Sequence, residues 1–209
     1  MEFRIDLHVH SKFSGDTDSE PEESVMHAIS KGLHGLAFTE HYSYDASDFA
    51  DGLREKYKGK IMIFRGVEFS SADGHCLVFG VNTDRLFIKN ASMEEVIRVV
   101  NEKGGVVIPS HPFRGSNSVG EKIMQLKGIC ALEGHNGYSH YSQNAKAVKA
   151  AEELGLPFTG GSDAHEAKET GACYTAFSSE VTYGNFIEQL KAGLYKGVDT
   201  RKISRVWPF

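Results

Sequence analysis

The sequence predicts an α/β protein whose parallel strands close into a barrel, and three observations support this fold class. Short apolar segments alternate with helical segments along the chain, which is typical of parallel strand-helix units. Segments such as GVVIPS and GICALE are continuously apolar, as strands covered on both faces are. About seven such units are present, a number that favours a compact TIM-like barrel over an open sheet.

The predicted elements follow one another in a regular order. The first half reads as strand FRIDLHV, helix PEESVMHAISKGL, strand GLAFTEH, a helical or irregular stretch from Asp45 to Lys58, strand KIMIFRGVEFS and, after a hairpin, strand HCLVFGV. The second half reads as helix SMEEVIRVVNEKG, strand GVVIPSH, short helix GEKIMQLK, strand GICALEGH, helix YSQNAKAVKAAEELG, strand PFTGGSDAH, strand CYTAFS and helix TYGNFIEQLKAG. Helix boundaries are indicated by typical capping residues, which are Ser19 or Glu20 before Pro21, Ser92 and Thr182 at the starts, and Gly32, Gly104, Gly155 and Gly193 at the stops.

Composition favours one ordinary globular domain spanning residues 1–209. The chain is 40% hydrophobic and 24% charged, and its formal net charge of −5 supplies no basic field for nucleic acid. Its three cysteines form no CxxC pair, so neither a disulfide framework nor a zinc ribbon is indicated. No signal-like N-terminus or apolar run of ~20 residues is present. We therefore expect a soluble cytoplasmic protein without a membrane partner, and we leave open its oligomeric state and the role of the tail RKISRVWPF.

Histidines and carboxylates collect at one end of the predicted strands. These residues are Asp6, His8, His10, Glu40, His41, Glu68, His111, Glu133, Asp163 and His165, with His75 in the hairpin after Glu68. The carboxyl ends of parallel barrel strands lie on one face, so these distant residues are expected to converge. His8 and His10 are two positions apart on a strand and therefore point to the same side.

So many imidazoles and carboxylates in one place indicate a metal centre. Buried together without cations they would be costly, and their number exceeds the four ligands of a closed tetrahedral site. Nitrogen and oxygen donors suit Zn, Mn or Fe, so two or three divalent ions are expected. No P-loop or dinucleotide fingerprint is present, and Ser162 lacks a G-x-S-x-G elbow, which disfavours kinase, dehydrogenase and serine hydrolase functions.

The ordered motifs DLHVH, TEH, GVEFS, SHP and SDAH closely resemble the PHP family, the polymerase and histidinol phosphatase domain, from residue 4 to about residue 190. The resemblance implies a single PHP-like domain with a distorted seven-stranded (β/α) barrel. It also implies a trinuclear metal site that hydrolyses phosphate esters.

The same resemblance implies which residues bind each ion. The first ion would be held by His8, His10, Glu68 and Asp163; the second by Glu68, His75 and His111; and the third by Asp16, His41 and His165. Asp18 competes with Asp16 for the acidic position of the third ion. Glu40 would orient a neighbouring ligand, since ligating imidazoles usually donate their second N–H to an acceptor.

The expected chemistry is hydrolysis by a metal-activated hydroxide. Two ions sharing Glu68 would lower the pKa of a bound water toward ~7. Arg114 would hold phosphoryl oxygens through its guanidinium, and His165, Asp163 or Glu40 would assist the leaving group directly or through water. His135 and Asn136 follow Glu133 and are expected to face the substrate.

The expected function is therefore that of a metal-dependent phosphoesterase acting on a small phosphorylated metabolite or nucleotide. One alternative is an exonuclease that acts on nucleic-acid ends, which the acidic balance of the chain disfavours. Another is a non-catalytic module that binds metal or phosphate. The sequence leaves open the native metal, the physiological substrate and the choice between monoesters and diesters.

Overall fold

The computed structural model describes residues 2–41, 43–81 and 90–201, and within these residues the chain is an α/β protein. The strands are β1 (Phe3–Val9), β2 (Gly35–Phe38), β3 (Met62–Arg65), β4 (Val67–Ser71), β5 (Gly74–Phe79), β6 (Val106–Pro109), β7 (Leu132–Asn136), β8 (Phe158–Gly161), β9 (Cys173–Phe177) and β10 (Tyr195–Asp199). The α-helices are α1 (Pro21–Ser30), α2 (Phe49–Lys56), α3 (Met93–Glu102), α4 (Tyr141–Leu154) and α5 (Phe186–Ala192).

The strands form three sheets rather than one closed sheet. The largest has the order β10-β9-β1-β2-β3, the second the order β4-β5-β6, and the third pairs β7 with β8. Single parallel bridges, Val9 with Ala164 and His41 with Glu68, link the first sheet to the other two. The α/β class is as predicted, whereas a closed seven-stranded barrel is not seen in the described residues.

The prediction of uniformly parallel strands was wrong for part of the molecule. Strands β1, β2 and β3 pair in parallel, as do β7 and β8, but β5 runs antiparallel to both β4 and β6. The cause is the hairpin that joins Ser71 to Gly74, because it reverses β5 between two strands that run the same way. In the largest sheet, β9 is antiparallel to both of its neighbours, β1 and the edge strand β10.

Local differences from the predicted elements have local causes. The predicted strand KIMIFRGVEFS is divided at Gly66, where an added Cβ would lie 2.4 Å from the ring of Phe79. The segment GEKIMQLK forms a 3-10 helix over Gly120–Gln125. The stretch from Asp45 to Lys58 holds a 3-10 turn and α2.

Most helix boundaries follow the capping signals in the sequence, but α5 begins at Phe186 after the N-cap Asn185, so the start predicted at Thr182 is wrong by three residues. Pro21 is the first residue of α1, and the Ser92 side chain accepts a hydrogen bond from Glu95 N at the start of α3. Gly155 and Gly193 end α4 and α5 in the left-handed conformation. The last eight residues of the C-terminal tail, 202–209, lie outside the described residues.

Buried apolar side chains anchor the first strand from one face. Ile5 and Leu7 pack with Phe79, Ile108 and other residues in one core cluster, and Val9 packs in a second cluster that includes residues of α1. Because side chains alternate along a strand, Asp6, His8 and His10 are presented on the opposite face. In the described part of the chain, no helix is both long and apolar enough to cross a bilayer.

Candidate metal centre

His8, on β1, and His10, just after its end, lie side by side in the interior. Both His8 and His10 are fully buried, and their Nε2 atoms are 3.0 Å apart. Asp6, two positions earlier, accepts hydrogen bonds from the backbone N–H groups of His8, Ser162 and Gly171 at 3.2, 2.9 and 2.7 Å. Burial raises the pKa of Asp6 to about 6. The Asp6 carboxylate thereby ties β1 to the SDAH loop.

The carboxylate of Glu68 lies at the centre of the histidine cluster. Its contacts to imidazole nitrogens are 2.8 Å to His111 Nε2, 3.1 Å to His41 Nδ1, 3.3 Å to His75 Nδ1, 3.4 Å to His8 Nε2 and 3.5 Å to His10 Nε2. Ser110 Oγ donates a hydrogen bond of 2.7 Å to Glu68 Oε1. One carboxylate therefore faces five imidazoles, which suits a bridging ligand.

Asp163 reaches the same centre from the loop after β8. Its Oδ1 is 3.2 Å from His10 Nε2 and 3.4 Å from His8 Nε2. Its backbone has a φ of 54°, an uncommon conformation for a residue other than glycine, and its N–H donates to His8 O at 2.7 Å. Gly161 allows this close approach, since an added Cβ would lie 2.4 Å from His8 Cβ.

Asp16, His41 and His165 lie together at the solvent side of the cluster. Asp16 Oδ2 is 3.0 Å from His41 Nε2 and 3.2 Å from His165 Nε2. The side chain of Asp16 is 42% exposed and that of His165 is 26% exposed. Of the two acids that the sequence leaves open, Asp16 is the one that contacts these histidines, while Asp18 lines an adjacent surface depression.

The donor atoms fall into three overlapping groups with a metal-like spacing. These groups are His8, His10, Glu68 and Asp163; His41, Glu68 and His75; and His10, His41 and His165, with the donor atoms of each group within 4.8 Å of one another. The first group matches the ligand set that the family resemblance implies for the first ion. The other two groups share His41. One nitrogen of the His41 ring contacts Glu68 and the other contacts Asp16.

Several of the imidazoles have one nitrogen held from outside and the other facing the centre. His8 Nδ1 lies 2.8 Å from Glu133 Oε1, and His165 Nδ1 lies 2.9 Å from Asp163 O. His75 Nε2 is 3.0 Å from Ser70 Oγ. Such partners select the ring tautomer and leave the inward nitrogen free to ligate.

Residues outside the predicted ligand set hold the ligands in place. Glu133 Oε2 accepts hydrogen bonds from His111 N at 2.8 Å and from Asn136 Nδ2 at 3.0 Å. Asn136 Nδ2 also donates to Asp163 Oδ2 at 3.0 Å. The structure thus places Asn136, predicted to face the substrate, between two carboxylates.

Glu40 is connected to the cluster through a serine. His10 Nδ1 donates to Ser14 Oγ at 2.9 Å, and Ser14 Oγ donates in turn to Glu40 Oε2. Ser11 adds two further hydrogen bonds to Glu40, from its N–H at 3.0 Å and its hydroxyl at 2.6 Å. Glu40 therefore orients His10 indirectly, and Ser14 carried no sequence signal that could have indicated this role.

Arg114 lies against the ligands, whereas His135 lies apart from them. The guanidinium of Arg114 donates to Asp163 Oδ2 and lies 2.9 Å from His111 Nε2. The pairing of β7 with β8 is irregular between Glu133 and His135. This irregularity leaves the His135 ring packed edge to face on Phe158, at a centroid distance of 5.4 Å.

The charge balance of the centre favours bound cations. Burial disfavours an imidazolium, yet the surrounding carboxylates, led by that of Asp163, raise the pKa of His8 well above its usual value. Burial also disfavours the charged form of His10, but hydrogen bonds to Asp163 and Glu68 outweigh it and raise the pKa of His10 to about 9. Protons on these imidazoles thus offset the carboxylates, and cations binding to the same nitrogens would displace those protons.

Two buried atoms of the centre are close to partners but poorly aligned with them. Among the described residues, Glu68 Oε2 lies 3.1 Å from His41 Nδ1 and His75 Nδ1 lies 3.3 Å from Glu68 Oε1 without a hydrogen bond of normal geometry, although buried polar atoms normally form one. Imidazole and carboxylate donors in this number suit divalent transition metals. The residues present therefore fit divalent cations.

Comparison with protein families places this chain in a known group. Residues 6–154 match the model of the PHP domain, and residues 142–194 match the model described as PHP-associated. The first match covers well over half of the chain and includes seven of the nine predicted metal ligands, all except Asp163 and His165. The protein belongs to the PHP domain family, whose members are metal-dependent phosphoesterases and related hydrolases.

Individual relatives agree with this family at low sequence identity. The histidinol-phosphatase of Lactococcus lactis is 28% identical over 184 residues, covering 74% of this chain and 65% of that protein. The crystal structure of PsfC from Pseudomonas syringae superposes with a TM-score of 0.70 at 22% identity, covering 95% of this chain and 92% of that one. The lesion-specific endonuclease PfuEndoQ from Pyrococcus furiosus gives a TM-score of 0.67 at 19% identity, covering 94% and 58%. The two structural likenesses show the fold alone.

Proposed function

We propose that this protein is a phosphomonoesterase that hydrolyses a small phosphorylated metabolite or nucleotide with three divalent cations. The ligand sets are those implied by the resemblance, namely His8, His10, Glu68 and Asp163 for the first ion, Glu68, His75 and His111 for the second, and Asp16, His41 and His165 for the third. The proposal includes a single cytoplasmic domain over residues 1–209 with a distorted seven-stranded barrel. The observation that carries it is the convergence of donors from distant strands around Glu68.

Bound divalent cations would generate a nucleophile from water at neutral pH and offset the charge of the phosphoryl group. The chain itself supplies the positions. Glu68 belongs to two of the three donor groups. Its carboxylate is stabilised by the surrounding imidazoles and by a hydrogen bond from Ser110. Glu133 and Asn136 fix the orientation of His8 and Asp163.

Arg114 is the residue that we assign to phosphate binding. Its two terminal nitrogens reach Asp163 and His111, so its guanidinium lies beside the centre. A guanidinium can donate two parallel hydrogen bonds to phosphoryl oxygens. Binding of the ester would exchange some of the contacts of Arg114 with the protein for contacts with the substrate.

The leaving oxygen would depart toward the solvent side of the centre. His165 and Asp16 form this side and are both partly exposed, so water can deliver a proton there. Asp163 O fixes the His165 ring through Nδ1. In this proposal Asp163 and His165 lie beside the leaving oxygen of the ester and assist its departure.

A small substrate is favoured over nucleic acid. The chain has a net charge of −5, and an extended phosphate backbone binds through clustered basic side chains. The likeness to an endonuclease concerns the fold alone, so nuclease activity is retained only as an outcome of the test.

The test is turnover by metal-loaded protein. The chain is loaded with Mn, Zn or Fe(II) and assayed against phosphomonoesters, phosphodiesters and a single-stranded oligonucleotide, beside Glu68→Gln and His111→Ala. We expect monoester hydrolysis that falls more than about 100-fold in Glu68→Gln, since even residues behind the ligands cost 10–100-fold when changed. His140→Asn is the matched control, because His140 caps α4 outside the centre and Asn is a good N-cap.

Three results would contradict the proposal. Undiminished hydrolysis in both centre variants would falsify the assigned site. Cleavage of the oligonucleotide with no monoester turnover would favour the nuclease alternative. Folded, metal-bound protein without any turnover would favour a non-catalytic module.

A further inference from the structure

A large aromatic side chain stands exposed at the edge of the metal centre. Tyr138 is 64% exposed, the highest value among the large apolar side chains in the described part of the chain. Its ring centroid is 5.6 Å from that of His165 and 5.7 Å from Arg114 Cζ. The ring therefore borders the space between the residue assigned to phosphate binding and the side where the leaving group departs.

The backbone that carries Tyr138 is held rigidly on its inner side. Tyr138 N donates to Asn136 Oδ1 at 3.0 Å, and Gly137 N donates to Gly161 O at 3.0 Å. Gly137 approaches Ser162 so closely that an added Cβ would lie 2.4 Å from Ser162 O. The position of the ring is thus set by the residues that present Asp163.

A second set of contacts fixes the same loop from the C-terminal side. Arg201 donates to Gly137 O at 2.6 Å and to Ser139 O at 2.8 Å. Its charge is paired with Asp199, and it stacks on Tyr141. The loop that carries Tyr138 is therefore fixed from two sides, and it keeps the Tyr138 ring exposed beside the centre instead of packed against the protein.

We infer that Tyr138 is a specificity-determining residue that stacks on a planar ring in the alcohol portion of the substrate. This inference rests on the proposed function. The phosphate would lie at Arg114, and the leaving group would extend past His165 along the exposed face of the Tyr138 ring. Aromatic pairs contribute beyond simple burial of area, so a ring-bearing ester gains affinity that a saturated ester of equal size does not.

The experiment compares two esters that differ only in planarity of the leaving group. Benzyl phosphate and cyclohexylmethyl phosphate are both esters of primary alcohols and are similar in size. We expect wild-type protein loaded with Mn or Zn to favour benzyl phosphate in kcat/KM. Tyr138→Ala should lower the ratio of the two kcat/KM values about fivefold, in line with the strength of aromatic pairs, and Tyr138→Phe should retain it.

A binding measurement separates this inference from the proposed function. Calorimetry with benzylphosphonate and cyclohexylmethylphosphonate reports the ring preference without turnover. A preference that disappears in Tyr138→Ala and persists in Tyr138→Phe supports the inference even if neither ester is hydrolysed, in which case only the proposed function fails. An equal ratio in wild-type protein and Tyr138→Ala, in either assay, overturns the role of Tyr138 even where hydrolysis is rapid.

Discussion

The inner and outer parts of the metal centre are built in different ways. The inner group, His8, His10, Glu68 and Asp163, is almost completely buried, with at most 2% of any residue exposed. The outer group, Asp16, His41 and His165, includes side chains that are 11% to 42% exposed. Both groups use imidazole and carboxylate donors, so the difference lies in what surrounds them.

Among the described residues, neighbouring side chains support three members of the inner group, whereas Asp16 contacts only His41 and His165. Glu133 holds His8, Ser14 holds His10, and Asn136 holds Asp163. Asp16, by contrast, reaches His41 and His165 from a partly exposed loop. From this difference we expect the inner group to hold a cation more tightly than the outer group, where an ion would exchange more readily with solvent.

The largest expected effect comes from removing a support of the inner group. In Glu133→Gln, the amide nitrogen introduces a donor where the carboxylate accepts from His8 Nδ1, His111 N and Asn136. We expect zinc affinity to fall about 10–100-fold, measured by competition with a chromophoric chelator.

The matched control for this change is Glu153→Gln. Glu153 lies exposed on α4 and pairs with Lys149, so its variant should bind zinc as the wild type does. Equal affinities in all three proteins would show that the inner group does not depend on its hydrogen-bonded support.

A smaller effect is expected when the outer group is weakened. Asp16→Asn removes the charge that faces His41 and His165, so one equivalent of metal should be lost on dialysis while the remaining metal is retained. Elemental analysis gives the stoichiometry, and turnover should fall at least about tenfold, because losing a direct ligand should cost no less than losing a residue behind one.

Asp18→Asn is the control, since it changes the same loop two residues away. Metal loss in the Asp18 variant instead of the Asp16 variant would reassign the acidic ligand. Loss of all metal from Asp16→Asn would contradict independent inner and outer groups.

The sequence predicted which histidines and acids converge better than it predicted the residues that hold them in place. Strand ends that carry histidine and acid were visible as motifs, because a barrel rim requires short polar segments after apolar strands. Ser14 gave no such signal, and Ser110 stood in the SHP motif without a predicted role, because the role of a hydroxyl depends on the fold that places it beside Glu40 or Glu68.

Strand direction and side-chain facing were less predictable. Both His135 and Asn136 were expected to face the substrate because they follow Glu133, but the irregular pairing of β7 with β8 places Asn136, and not His135, among the carboxylates of the centre. Strand β10 was not predicted, because its sequence YKGVD contains glycine and lysine and no apolar run. Its stability depends on pairing with β9, which is a tertiary contact.

The smallest effect is expected at the loop that borders the outer group. Arg201→Ala removes the hydrogen bonds to Gly137 O and Ser139 O and the pair with Asp199. We expect the free energy of unfolding to fall by about 2 kcal/mol, the scale of charged hydrogen bonds, with unchanged zinc affinity of the inner group. Thermal unfolding of Lys196→Ala is the control, since Lys196 is an exposed cation on β10, the strand that carries Asp199 and precedes Arg201.

The dependence of this loss on pH identifies its cause. Burial opposes ionisation of Asp199, but hydrogen bonds from Arg201 outweigh it and hold the pKa of this carboxyl below its usual value. A depressed pKa contributes stability above the carboxyl's unfolded pKa and loses it as pH falls through the folded one. The difference in Tm between wild type and Arg201→Ala should therefore shrink as the solution is acidified. A difference that stays constant with pH would assign the loss to the carbonyl contacts of the loop instead of the ion pair.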